Sequence, residues 1–286
     1  AHRWEILNAV EYTSKYHASF IKKEDGSLLL AGDIPNTDTY ELGFYTDLPQ
    51  ITALRLEALP DPSLPGGGPG RGVIMSPKEG DFLLSEIAAS FAPWEAPEQH
   101  TPITLRNATQ NYAAEGREAA LALDGKLDTG WSVKEAEGQP HRAVFEFAEP
   151  VDARGGVLLR LKLDQYYVHQ QTLGRLRISV TADTPPVRAA LVPAEAEAAL
   201  LLPLEARTPA QRELLQGTFL KEAPELAAAH EELRALRDAL PPFPTTLALE
   251  ERPDPRETRI HHRGEFLSPR EAVEPGIPAI LPPLPA

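Results

Sequence analysis

Asp124, Asp128 and Thr129 place three oxygen-bearing side chains within six residues around Gly125. Carboxylates and a hydroxyl on a tight turn suit calcium, which takes roughly six to eight oxygens and usually includes backbone carbonyls among them. The same spacing fits an Asx turn, in which Asp124 bonds its own backbone beside Gly125 and needs no ion. The second concentration of chemistry is the loop Asp164-Gln165-Tyr166-Tyr167-Val168-His169-Gln170-Gln171. It offers aromatic faces for the C–H side of a sugar and amide or imidazole groups for its hydroxyls. Loops that join strands commonly carry variable binding groups. A carbohydrate contact is therefore expected at Tyr166, Tyr167, His169 and Gln170, helped by Arg175. The plainer alternative is that the tyrosines cover one end of the core while His169 and Gln170 tie the loop down.

Other candidates point away from catalysis. Gly70-Arg71 and Gly174-Arg175 end two long loops, where Gly permits the turn and the Arg stem packs across a sheet edge. His261-His262 are adjacent, and neighbours in an extended chain point to opposite faces, so they do not easily grip one ion. No Gly-Lys-Ser/Thr phosphate loop, Gly-x-Ser-x-Gly elbow or His-Glu-x-x-His occurs. Cysteine is absent, which removes thiol catalysis, haem attachment and disulfides together. The segment is thus expected to be no enzyme and to hold no haem, with structural calcium as its one expected cofactor. Asp and Glu number 42 against 28 Lys and Arg, a net charge of −14. Nucleic acid, which needs a basic surface, is therefore not an expected partner, whereas an uncharged glycan is compatible. No apolar run approaches the roughly 20 residues of a membrane helix, so no membrane span is expected.

The elements that must position these groups are mostly strands. Period-two alternation marks Tyr40–Tyr45, Ile51–Leu59, Phe82–Ile87, Ala143–Phe147, Val157–Leu163 and Leu176–Val180. The pattern changes near residue 190. Thr208-Pro209-Ala210-Gln211 reads as a capping box with Pro at the first helical position. After Pro224, Leu226, His230, Leu233, Leu236 and Leu240 form a stripe that Pro241-Pro242 ends. From 241 to 286 the chain is Pro-dense and reads as extended, with one strand at Thr246–Glu250.

The two β-rich halves share an ordered set of motifs. Asn8-Ala9 precedes Asp25-Gly26, and Asn107-Ala108 precedes Asp124-Gly125, by 17 positions each. Leu54-Arg55-Leu56 and Leu159-Arg160-Leu161 follow, then Gly70-Arg71 and Gly174-Arg175. This order predicts a duplication. The expected fold is mainly β: an antiparallel jelly-roll-like β-sandwich of two tandem related modules. Residues 1–96 and 97–186 are the modules, 187–240 a helical hairpin packed on them, and 241–286 an extended tail.

Several of these stretches resemble a known family. They are Ile51–Asp61, Gly68-Pro69-Gly70-Arg71, Gly80–Glu86, Leu123-Asp124-Gly125, Gly130-Trp131, His169, Gly174–Thr181 and Thr258–Leu267. They are similar to the central region of the large planctomycete-type proteins that carry a cytochrome c-like domain and flanking domains of unknown function. The resemblance implies an exported, periplasmic or cell-surface parent, with flanking domains as partners and the haem-binding motif elsewhere. Ala122, Asp124-Gly125, Thr129 and Trp131 also resemble discoidin-type, galactose-binding-like modules. Those modules are jelly rolls that often bind carbohydrate, and many hold calcium near the matching Asp and Thr. Trp131 is then expected in the core. The function expected is non-catalytic carbohydrate recognition; the alternative is a scaffold that spaces and docks the flanking domains without a small-molecule ligand.

Overall fold

A computed structural model of the chain describes residues 1–72, 80–166, 170–240 and 257–274. Residues Ala1–Ala227 form one compact unit and Ala228–Ala286 a second. The first unit is mainly β. Its strands are β1 (Glu5–Ile6), β2 (Ala9–Ser14), β3 (Ser19–Lys22), β4 (Leu28–Ala31), β5 (Asp38–Thr46) and β6 (Ile51–Ala58), then β7 (Glu86–Pro93), β8 (Thr101–Ile103), β9 (Leu105–Gln110), β10 (His141–Val151), β11 (Val157–Gln165) and β12 (Arg175–Thr181). All pairings are antiparallel. One sheet runs β3-β4-β12-β6-β10-β9, with β1 added on β12; the other runs β2-β5-β11-β7-β8. Their facing side chains, among them Leu42, Phe44, Leu54, Leu56, Phe145, Leu159, Leu161 and Ile178, share one core that also holds Trp131.

The strand order corrects the expectation of tandem modules at 1–96 and 97–186. Each sheet takes strands from both halves, so neither half closes a core alone. The matching motifs instead occupy equivalent places in opposite sheets. β6, carrying Leu54-Arg55-Leu56, lies between β10 and β12; β11, carrying Leu159-Arg160-Leu161, lies between β5 and β7. Gly70 bridges Leu173, and Gly174 N–H donates to Pro69 O at 2.7 Å, so the two Gly-Arg loops meet at one end. Pairing is decided by long-range burial, which local alternation does not encode. The strand expected at Phe82–Ile87 is displaced for a similar reason. Phe82, Leu83 and Leu84 are buried in a crossing segment. Leu84 makes a single bridge to Trp131, Phe82 stands edge-on to that indole at 5.2 Å, and the strand starts only at Glu86.

The outer face of the larger sheet is covered by the segment that follows β12. Arg55 and Glu57 point away from the core on β6, yet their side chains are only 7% and 4% exposed. Helix α1 (Ala194–Leu200) brings Glu197 down onto Arg55 at 3.3 Å and Arg142 at 3.6 Å. Glu57 takes Arg177 Nε at 2.7 Å, and the Trp4 ring lies 4.7 Å from the Arg55 guanidinium. Burial pushes Arg55 and Arg142 below the usual guanidinium range, opposed by Glu57 and Glu197. Helix α2 (Pro209–Glu222) packs on α1 and starts with the capping box read from the sequence, Thr208 Oγ1 accepting from Gln211 N.

The second unit contains α3 (Ala227–Asp238), which begins at the boundary, and a hairpin of β13 (Thr258–His261) and β14 (Pro269–Val273). The hairpin corrects the reading of an extended tail: a turn at Arg263-Gly264, both with positive φ, reverses the chain. His261 ends β13 while His262 starts that turn, so the pair is divided between two elements. The strand expected at Thr246–Glu250 lies outside the described residues.

Two stability predictions follow from buried charge. Glu197→Ala leaves Arg55 and Arg142 without their shared carboxylate, and removing one partner of a buried pair typically costs about 3 kcal/mol. Chemical denaturation measures this; a loss below about 1 kcal/mol means α1 is merely draped on the sheet. Asp81 is 5% exposed and accepts from Ser132 Oγ and Val133 N. Burial pushes its carboxyl from 3.8 up to about 6. A raised acid favours the folded state fully at low pH, and that contribution is lost as pH rises through about 6. Asp81→Asn should therefore gain on the parent by about 3 kcal/mol between pH 4 and 7. A difference independent of pH overturns this assignment.

Candidate functional site

The sequence-predicted residues do not gather into one site among the described residues. Tyr166 follows β11 and is half-buried; its hydroxyl accepts from Lys15 Nζ at 3.1 Å and its N–H donates to Ser85 Oγ. That ammonium holds the Tyr166 phenol below its usual range. Gln170 has a positive φ of 63° and donates through Nε2 to Ile34 O, which ties the loop down. Arg175 lies in the other sheet and is engaged there: Nη2 meets Asp25 at 2.8 Å, Nη1 meets Asp61 at 3.2 Å and Nε donates to Ser27. Tyr167 and His169 lie outside the described residues.

Asp124, Asp128 and Thr129 share one turn, in which Thr129 donates to the Asp124 carboxylate. Asp124 accepts from Lys126 N and from Thr129 Oγ1, each at 2.9 Å, and the Asp128 carbonyl accepts from Arg117. Burial would raise the Asp124 carboxyl, but those hydrogen bonds outweigh it and hold it below the ordinary range. This is the Asx-turn arrangement. Thr129 Oγ1 also donates to Lys126 O at 3.2 Å, which closes the turn.

A broad surface hollow lies elsewhere, on the outer face of the five-stranded sheet. Its cavity volume is about 610 Å³. Side chains alternate along each strand, so the register brings outward positions together in rows. One row is Thr13–Glu41–Lys162–Ala88; the next is Glu11–Gly43–Arg160–Ser90–Pro102. Small side chains at Gly43, Ala88 and Ser90 lower the floor. A Cβ at Gly43 would come within 3.0 Å of Glu11 and 3.3 Å of Leu158, so glycine there makes room for those two side chains. Arg160 spans the second row: Nε meets Glu11 Oε2 at 3.2 Å, and Nη1 contacts Pro97 O at 2.8 Å and His100 Nδ1 at 2.9 Å. Lys162 meets Asp164 at 2.8 Å. The cations thus stand beside carboxylates, and the surface offers donors and acceptors together without a strong net field.

Glu41, Arg160 and Lys162 were readable as the polar side of alternating strands; Glu11, on β2, was not. Alternation says that one side avoids the core; it does not say whether that side meets water, a helix or a ligand. Comparisons of the chain with family models, with curated proteins and with solved structures find no match.

The Asp124 turn yields a direct expectation. Neither added calcium nor a chelator should move the melting temperature, since a bound ion stabilises only by its affinity for the folded state. A calcium-dependent rise that Asp124→Asn abolishes would restore the ion to this turn.

Proposed function

We propose that this chain is a non-catalytic carbohydrate-recognition module of a larger exported protein, with a jelly-roll-like β-sandwich fold. Its ligand lies in the trough on the five-stranded sheet. The observation that carries the reading is the trough itself: a floor lowered by Gly43, Ala88 and Ser90 and bordered by hydrogen-bonding side chains of both signs. Neutral polyols present many hydroxyls, each donor and acceptor at once, and such a mixed border matches them. A net charge of −14 disfavours polyanions at long range. The resemblance to galactose-binding-like modules supports the ligand class, although the aromatic and amide groups of the 164–171 loop had pointed to a site there. A second reading, a scaffold docking flanking domains, draws support from Gln170 and Arg175, whose contacts hold the fold together.

Affinity electrophoresis distinguishes the two. Xylan, mannan or mixed-linkage β-glucan in the gel should retard the protein, while alginate and pectate should not. Ala88 is exposed, so Ala88→Trp fills the trough with little strain and should abolish retardation at unchanged melting temperature. Tyr166→Ala should leave retardation intact. No retardation by any neutral polysaccharide leaves the scaffold reading standing.

A further inference from the structure

We propose that helix α3 is a self-association element, which pairs in parallel with α3 of a second copy of this chain. The sequence marks an apolar stripe here, and the structure leaves it uncovered. No residue of α3 is buried. Leu233 is 51% exposed and Leu236 61%, and Leu240, two residues past the helix end, is 59% exposed. A helix of 12 residues is marginal in water when nothing packs on it, so an open apolar stripe on such a helix calls for a partner. The trough takes no residue from α3, and the proposal stands apart from carbohydrate recognition.

The charges beside the stripe identify the partner. Leu233 and Leu240 take the first position of a heptad, and Ala229 and Leu236 the fourth. Glu232 stands immediately before Leu233, and Arg237 immediately after Leu236, on opposite flanks of the stripe. When two such helices run parallel, each flank faces the other flank of its partner, five residues on. Glu232 of each copy then meets Arg237 of the other, and pairs at these positions set partner choice and orientation. Reversing one helix lays each flank against itself. Glu232 and Ala239 would share one side and His230 and Arg237 the other, so no opposite charges would meet. The two flanks of one α3 are thus complementary to each other, which parallel self-pairing requires and a foreign partner does not. A contact of about three turns is short, and each copy carries a net charge of −14, which opposes association. The dimer is therefore weak and depends on concentration.

The test is sedimentation equilibrium of the whole chain from about 5 to 500 µM, where monomer and dimer should interchange by mass action. Leu233→Glu together with Leu236→Glu should leave a monomer at every concentration. Both side chains are exposed, so the melting temperature of the dilute protein should stay that of the parent. Glu232→Arg alone and Arg237→Glu alone should each weaken the dimer severalfold, and the two together should restore it. Orientation is read by cross-linking. The chain has no cysteine, so Ala229→Cys introduces a single thiol, and mild oxidation should join two copies through it. With the stripes overlapped end to end, antiparallel helices would hold those positions about 16 Å apart, beyond the reach of a disulfide. A monomer throughout the range overturns self-association. A dimer indifferent to the leucine substitutions overturns the role of α3. A dimer lost with the leucines, but unmoved by charge exchange and not joined through position 229, overturns the parallel pairing.

Discussion

Strand β6 is buried along its whole length, on both faces. Its inner side chains, Leu54 and Leu56 among them, enter the common core, which any half-buried strand would do. Its outer ones include Arg55 and Glu57, and a charge withdrawn from water must be paired and hydrogen-bonded to be tolerated. That requirement organises the larger sheet. Arg142 and Arg177 come from the neighbouring strands, Trp4 from the N-terminal segment and Glu197 from α1, and each completes part of one ionic layer. The chain after β12 returns over this face: Val187 N–H donates to Glu146, and Arg142 donates to Val192 O. The larger sheet is left with its central outer surface already occupied.

The smaller sheet has the same central motif and a different outcome. Arg160 stands on β11 as Arg55 stands on β6, each between two leucines that face the core. Yet the Arg160 side chain is 32% exposed against 7% for Arg55. Among the described residues no helix of the first unit brings a carboxylate down on it; Glu11 from an edge strand and the Pro97 carbonyl serve instead. Its guanidinium is held by the exposed Glu11 carboxylate, the Pro97 carbonyl and the His100 ring, and its charge is not locked under a helix. The difference between the two arginines thus comes from what the chain lays over each sheet.

This also explains how much was legible in the sequence. The long strands β5, β6, β10, β11 and β12 follow from alternation, because one side of each must supply the core. Strands β2, β3, β8 and β9 are largely exposed or half-exposed edges, and their residues carry too little periodic signal to be recognised. The crossing segment Phe82–Leu84 is apolar enough to imitate a strand, but its burial comes from packing on Trp131 instead of from a ladder. The repeated motifs were visible, whereas their exchange between sheets was not, because register and partner depend on residues a hundred positions away. The capping box at Thr208 was fully legible, since all of its groups lie within four residues.

The candidate site follows the same division between local and long-range information. The loop rich in tyrosine and amide groups attracted attention because its chemistry is contiguous, yet Gln170 and Arg175 proved to be anchors. The trough is assembled from single outward residues on five strands, joined only by register: Glu11 from β2, Gly43 from β5, Arg160 from β11, Ser90 from β7 and Pro102 from β8. Each is unremarkable in its own strand. Gly43 even weakens its strand, since glycine forgoes side-chain packing and loses more backbone freedom on folding. Its place becomes intelligible once Glu11 and Leu158 are seen to crowd the space a side chain would occupy. The reason for that glycine is read across the sheet, from Glu11 and Leu158, not along its own strand.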